Sequence, residues 1–455
     1  MRLTAFPWLV ASSLLCAMGA SAAARPHYGG TLQVEMRAAP RSLDPADSSQ
    51  ADWFGFQNLS SLMFETLVSL GQQGKPEPVL ASSWQAEPGN QRWQFFLRRG
   101  ITFQDGTPLT AEAVAASLRR TNPTWKVLAE GEAVIIERDS AAPNLLAELS
   151  LPRNSIVKRD AEKISGTGPF VVSAWDPGKK LSLAAREDYW GGRAFLDAIE
   201  IEMGKSFREQ MIAFDLGKAQ VIEVAPDQAR RAGAEGRHVD SSAPMELIAL
   251  VFNRDSESPD AARQRRALAL SIDRESLNTV VLQGGGEPAG GLLPNWMTGY
   301  AFLFPSSVDL ELARQVRSEI PHTTSWSLGY DAADPTARLI AERIVLNARD
   351  AGLRMQITGA SGADLRVVRI PLISVNAQIA LVGVVAGLGL SPPELVSASL
   401  DDLYNAENRF LQSQRLIPLL HLRTAYAVAH SVKNWRTARD GSWRLSNVWL
   451  GPEKP

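Results

Sequence analysis

A fold built from this chain cannot lean on disulfides. Its one cysteine among 455 residues, Cys16, lies in the opening stretch MRLTAFPWLVASSLLCAMGASAAAR. That stretch has Arg2 ahead of an apolar run from Phe6 to Met18, then small residues ending in Ala22-Ala23-Ala24. This is the pattern of a secretory signal peptide with an Ala-x-Ala-like cleavage site, expected to span 1–24. Ser13-Leu14-Leu15 before Cys16 lacks the small residue that a lipid-anchor site expects, so a soluble mature protein is expected. Once the leader is removed no thiol remains, and disulfides, thiolate catalysis and cysteine metal sites fall away with it. Stability must come from buried core, which a chain of this length can supply.

Charge is nearly balanced, 47 basic against 49 acidic residues, so nothing points to nucleic acid. Length suggests about three domain-sized units. The uncharged segment 372–390, LISVNAQIALVGVVAGLGL, is long enough to cross a bilayer. Asn376, Gln378 and three glycines interrupt it, however, and two buried strands, or a strand and a loop, are the preferred expectation over a membrane span.

Periodicity places elements of both kinds. TLQVEM, FVVSAW, KLSLAA, AIEIEM and MELIALVFN alternate as strands, with an Asp176-Pro177-Gly178 turn making a hairpin of the second and third. Leu59 to Leu70, Asp260 to Leu282 and Pro335 to Ala351 have helical spacing. In ITFQDGTPLTAEAVAASLRR (101–120), Ile101 and Phe103 alternate as a half-buried strand and Asp105-Gly106 is a turn. Thr110 then caps a helix, with Leu109 and Val114 placed to staple its start. Strands and helices without strict βαβ alternation indicate a multi-domain α/β or α+β protein.

No catalytic constellation emerges. The five histidines (His27, His238, His322, His421 and His430) share no helical metal-site spacing. TGASGAD around Ser361 lacks the full nucleophile-elbow pattern, and LQGGGEPAGG lacks the lysine of a phosphate loop. Twelve tryptophans offer stacking surfaces. Trp84, Trp93, Trp175 and Trp190 suit cores, while Trp53, Trp296 and Trp326 lie beside loop-like segments and suit a cleft.

Taken in order, a set of motifs resembles one family. It comprises LDPADS, then VLASSW with the Trp93/Phe95/Leu97 strand, FxDGxPLTAE (103–112), SGTGPF…DYWGG, LIALVFN, RQRRALALSIDRESL and LIPLLH. The chain is similar to bacterial extracellular solute-binding proteins of family 5, the peptide/nickel type. The resemblance implies an α/β, two-lobe periplasmic-binding-protein-like fold of type II, in the large subclass with an extra subdomain in the first lobe. The expected division is lobe I in 25–42, a small subdomain in 43–160, lobe I again in 161–252, lobe II in 253–415 and a return to lobe I in 416–455. It also implies a periplasmic, monomeric, non-enzymatic binder of a small-molecule or peptide ligand, with no cofactor or metal of its own. Such a binder delivers its cargo to an inner-membrane ABC permease. A sensing or scaffold relative without a transport role is the alternative. Candidate ligand contacts are Met36, Arg37, Trp53, Asn253, Trp296 and Tyr300. One departure stands out. Peptide binders of the family commonly place an acid for the ligand's α-amino group late in lobe II, and here LVGVVAGLGLSPPEL has none before Glu394.

Overall fold

The computed structural model describes residues 25–47, 53–160, 163–255, 258–359, 362–393, 395 and 399–452, so the leader expected at 1–24 lies outside the described residues. Two long antiparallel strands, His238–Phe252 and Leu416–Val428, run side by side through the middle of the molecule. Each changes neighbours along its length. Val221–Val224 pairs with residues 425–428, and from it the sheet continues through Thr31–Glu35, Ala198–Glu202, Lys180–Ala185 and Phe170–Asp176. At the other end Leu365–Pro371 pairs with 246–252 and leads on to Trp326–Gly329 and Met355–Ile357. An eleven-stranded sheet, counted over the described residues, thus serves both lobes.

Between its halves the ladder breaks. Register shifts fall between Ser241 and Pro244 and again between Pro244 and Glu246. Pro244 has no amide to donate, and a strand interior tolerates proline only at such a break. Two breaks therefore fall where the lobes meet, and a third, between Ile248 and Ala249 opposite Pro418, lies within the second lobe.

Each lobe has its own core. In the first, Leu32, Val34 and Met36 point inward from one face of Thr31–Glu35. In the second, the central strand is covered on both faces. Ile248, Leu250 and Phe252 enter one core, while Met245, Leu247 and Ala249 enter another. Burial on both sides is why LIALVF reads as an unbroken apolar run.

The small subdomain is a four-stranded sheet, ordered Ala81–Ala86, Arg92–Leu97, Ala133–Glu137 and Lys126–Glu130, with the helix Ala111–Thr121 burying Val114, Ala115 and Leu118 against it. The Asp105 carboxylate accepts the Thr107 amide at 2.9 Å and its hydroxyl at 2.5 Å, closing the turn at Gly106, whose φ is +81°. Thr110 caps the helix by accepting the Ala113 amide at 3.2 Å. The buried Arg186 guanidinium donates to the carbonyls of Thr102, Phe103 and Thr167, which fastens this motif to the first lobe.

Three local expectations change. The strand at 101–104 shrinks to an isolated bridge between Thr102 and Pro108, because the turn leaves no room for a longer ladder. The helix expected at Leu59–Leu70 is Trp53–Met63, and Val68–Leu70 is a strand paired with Pro76–Pro78. Residues 372–390 hold neither two strands nor a span but an eleven-residue helix, Ala377–Gly387. Asn376 caps it by accepting the amides of Gln378 and Ile379, both at 3.1 Å. Gly383 sits where a methyl group would lie 2.6 Å from the Ile373 side chain, so the glycine permits close packing. Among the described residues no helix is long and apolar enough to cross a membrane.

Candidate ligand-binding site

A cavity of about 450 Å³ opens where first lobe, small subdomain, second lobe and C-terminal segment converge. The helix Trp53–Met63 contributes Gln57 and Ser60, and the residues after it contribute Glu65 and Ser69. Ser150 and Ser155 come from the small subdomain, Ile373, Ser374 and Val375 from the second lobe, and Asp440, Trp443 and Arg444 from the chain end. The volume falls in the ordinary range for small-molecule sites.

Local chemistry fixes these walls. Asn58 spans two segments: its side-chain amide donates to the Tyr426 hydroxyl at 3.0 Å and accepts the Trp443 backbone amide at 3.0 Å. Tyr426, Trp435 and Trp443 form an aromatic cluster with ring centroids 5.8 to 6.1 Å apart, which holds the 440–447 segment on the first lobe. Gly166 and Gly168 bring the SGTGPF motif against the end of the same helix. A methyl group at Gly166 would lie 2.1 Å from the Met63 carbonyl oxygen.

Both carboxylates in the lining are engaged by neutral donors. Glu65 accepts Tyr189 Oη–H at 2.7 Å on one oxygen and Trp190 Nε1–H at 2.9 Å on the other, and burial pushes its pKa up. Asp440 accepts the Gln57 amide at 3.1 Å on one oxygen and both Ser442 donors, at 3.0 and 2.7 Å, on the other. Among the described residues there is no cluster of histidines and acids able to hold a metal ion.

A second, more open pocket of about 630 Å³ lies at the ribbon break. Trp296, from the second lobe, donates its indole N–H to the Pro244 carbonyl at 3.1 Å. The Arg439 guanidinium lies 4.6 Å over the Trp296 ring and donates to the Gln72 carbonyl at 3.0 Å. One arginine of the chain end therefore touches both the second lobe and the small subdomain.

The residues singled out in the sequence are scattered. Of the five whose side chains are described, none lines the cavity between the lobes. Met36 is wholly buried in the first-lobe core, because it continues the inward face of its strand. Tyr300 is buried in a second-lobe core and donates to Glu407 at 2.9 Å. Asn253 ties the end of its strand to Ala363 through its side chain and to Asp364 through its backbone amide, at 3.0 Å. The exposed Arg37 lies 4.6 Å over Phe207. Trp296 belongs to the hinge pocket, and Trp53 opens the cavity helix with its side chain outside the described residues. Trp326 packs edge-on against Phe252 in a core and faces no cleft. Sequence reasoning missed residues 440–447. Their signal was the Asp440-Gly441-Ser442-Trp443 turn, a tryptophan directly after a tight turn.

Comparison with known proteins agrees with this architecture. The family model of bacterial extracellular solute-binding proteins, family 5 (middle region), matches residues 75–126 and 129–395. The probable D,D-dipeptide-binding periplasmic protein DdpA of Escherichia coli is 26% identical over 303 residues, 59% of this chain and 58% of that protein. The nickel-binding protein NikA of Staphylococcus aureus is 27% identical over 242 residues, covering 50% of this chain and 49% of that one. The chain thus spans about half the length of these curated relatives. The structure of the oligopeptide-binding protein AppA of Bacillus subtilis with a nonapeptide superposes with a TM-score of 0.78 at 16% identity, over 94% of this chain and all of that one. On the family match, which takes in most of the sequence, the chain belongs to family 5 of the bacterial extracellular solute-binding proteins.

Proposed function

We propose that this protein is an exported binding protein, not an enzyme. It captures a small organic solute between two closing lobes and presents it, as a monomer, to an ABC importer in the inner membrane. The observation that carries the reading is the makeup of the 450 Å³ cavity, whose wall is drawn from both lobes while the chain passes between them in a broken two-strand ribbon. A ligand that touches both lobes binds the closed arrangement better than the open one, and that difference is what drives closure. Relatives named for a D,D-dipeptide, nickel and oligopeptides share the family or the fold, so neither family nor fold fixes the cargo.

The test is thermal unfolding of protein stripped of carried ligand, against peptides, oligosaccharides, opines and divalent metals. A true ligand at a hundred times its dissociation constant stabilises the folded state by about 2.7 kcal/mol, a clear shift in midpoint. The expected result is a selective shift with one chemical class. Turnover of a panel member without such a shift would instead indicate an enzyme.

A further inference from the structure

Resting on that reading of closing lobes, we propose that Gly285 and Pro226 form a stop that limits how far the cavity opens. Pro226 follows the first-lobe strand Val221–Val224, and Gly285 precedes the second-lobe strand Gly286–Pro288. Both strands pair with the same edge of Leu416–Val428, the first at residues 425–428 and the second at 420–422, which leaves Arg423 and Thr424 between them. In that gap the lobes meet backbone to backbone. A methyl group on Gly285 would lie 2.1 Å from the Pro226 carbonyl oxygen, well inside contact distance. Neither side is free to step back. The amides of Gly284 and Gly285 donate to the carbonyls of Asn278 and Leu282 at 2.9 and 2.8 Å, and the Gly286 amide to Asn278 Oδ1 at 3.0 Å. On the first lobe the Ala225 carbonyl accepts the amides of Gln228 and Ala229 at 2.9 and 3.0 Å.

Position gives the direction. The cavity lies past the other edge of the ribbon, along His238–Phe252. There the Ala243 amide donates to the Arg439 carbonyl and the Leu372 amide to the Met245 carbonyl, one residue before Asp440 and Ile373 of the cavity wall. The two-strand ribbon thus runs between the cavity and the Gly285–Pro226 joint. Lobes that turn about the ribbon break and part at the cavity must press together at the joint. Opening drives Gly285 into the Pro226 carbonyl, and closing lifts it away. Outside the joint a pocket of about 760 Å³, lined by Arg230 and Arg237 of the first lobe and Gln283 of the second, leaves room for that separation. A side chain at 285 would bring the stop into play at a smaller opening.

Spin labels on Glu112→Cys and Arg349→Cys, both exposed, test the proposal in protein produced from Arg25 onward and stripped of ligand. Gly285→Ala should move the unliganded distance distribution to shorter separation, and Gly285→Val should move it further. Pro226→Gly keeps the carbonyl but frees the backbone that holds it, and should spread the distribution to longer separation. The opposite signs keep the test decisive where a Gly285 variant fails to fold. An unchanged or lengthened distribution in folded Gly285→Ala, or no lengthening in folded Pro226→Gly, overturns the stop. No ligand enters this measurement, so it is separable from the capture reading. Lobes that move as expected in a protein that no compound stabilises would uphold the stop while removing capture.

Discussion

Glu407 and His421 meet the same piece of chain from opposite sides. Glu407 accepts the amides of Leu292 and Leu293 at 2.5 and 3.2 Å and the Tyr300 hydroxyl at 2.9 Å, while the His421 ring contacts the Leu292 carbonyl at 3.0 Å. Burial dominates both. It raises the Glu407 pKa from 4.5 to about 7, and lowers that of His421 from 6.5 to about 4. The folded state thus keeps the glutamic acid proton longer than the unfolded chain does, so this contribution is full below pH 4.5 and is lost as pH rises toward 7. The histidine works the other way: its contribution is full above pH 6.5 and is lost as pH falls toward 4. Each is worth on the order of 3 kcal/mol at its limit, and in the shared window the slopes oppose. Glu407→Gln should therefore leave stability rising from pH 4 to 6.5, and His421→Gln should leave it falling from pH 4.5 to 7. Urea titrations at half-unit pH steps check both, and parallel profiles for the two variants would contradict the assignment. None of this was legible in the sequence, where Tyr300 looked like a ligand contact and Glu407 like one acid among many.

Elements decide how the cavity is held open and closed. The helix Trp53–Met63 ends against Gly166 and Gly168, and the Gly168 amide donates to the Met63 carbonyl at 3.0 Å. Gly166→Ala forces a methyl group into that carbonyl and should cost about 2 kcal/mol of stability by denaturant unfolding. A change below a few tenths would show that the motif tolerates more room than its geometry gives. The C-terminal segment supplies the opposite case, a contact that joins elements without being core. Arg439→Ala removes the stacking on Trp296 and the link to Gln72, and should shift the lobes toward the open form with little change in unfolding midpoint. Local chemistry was readable wherever neighbours in sequence are neighbours in space, as in the Asp105-Gly106 turn and the Thr110 cap. The helix Ala377–Gly387 was not, because its apolar residues run all round it and leave no period to read. The cavity was hidden for a different reason. Its walls come from segments near 57–69, 150–155, 373–375 and 440–447, and no local pattern relates them.

At the scale of the whole molecule, some motifs that carried the family resemblance reach the cavity wall, through Val79, Pro169 and Tyr189, while the turn and helix of 103–121 do not. The two lobes share one sheet, so motion between them must be absorbed where its ladder breaks, around Ser241 to Glu246 and the facing Arg423 and Thr424. Closure of the proposed kind would turn beside Trp296 and Arg439, one residue from Asp440 of the cavity wall. A protein produced from Arg25 onward has no thiol, so a cysteine pair can be introduced cleanly at the exposed positions Glu112, in the small subdomain, and Arg349, in the second lobe. The most direct measurement is the distance distribution between spin labels on Glu112→Cys and Arg349→Cys, with and without whichever compound raises the unfolding temperature. Closure on a ligand predicts a broad distribution that narrows and moves to shorter distance when that compound is bound. An unchanged distribution at saturating compound would contradict capture by lobe closure.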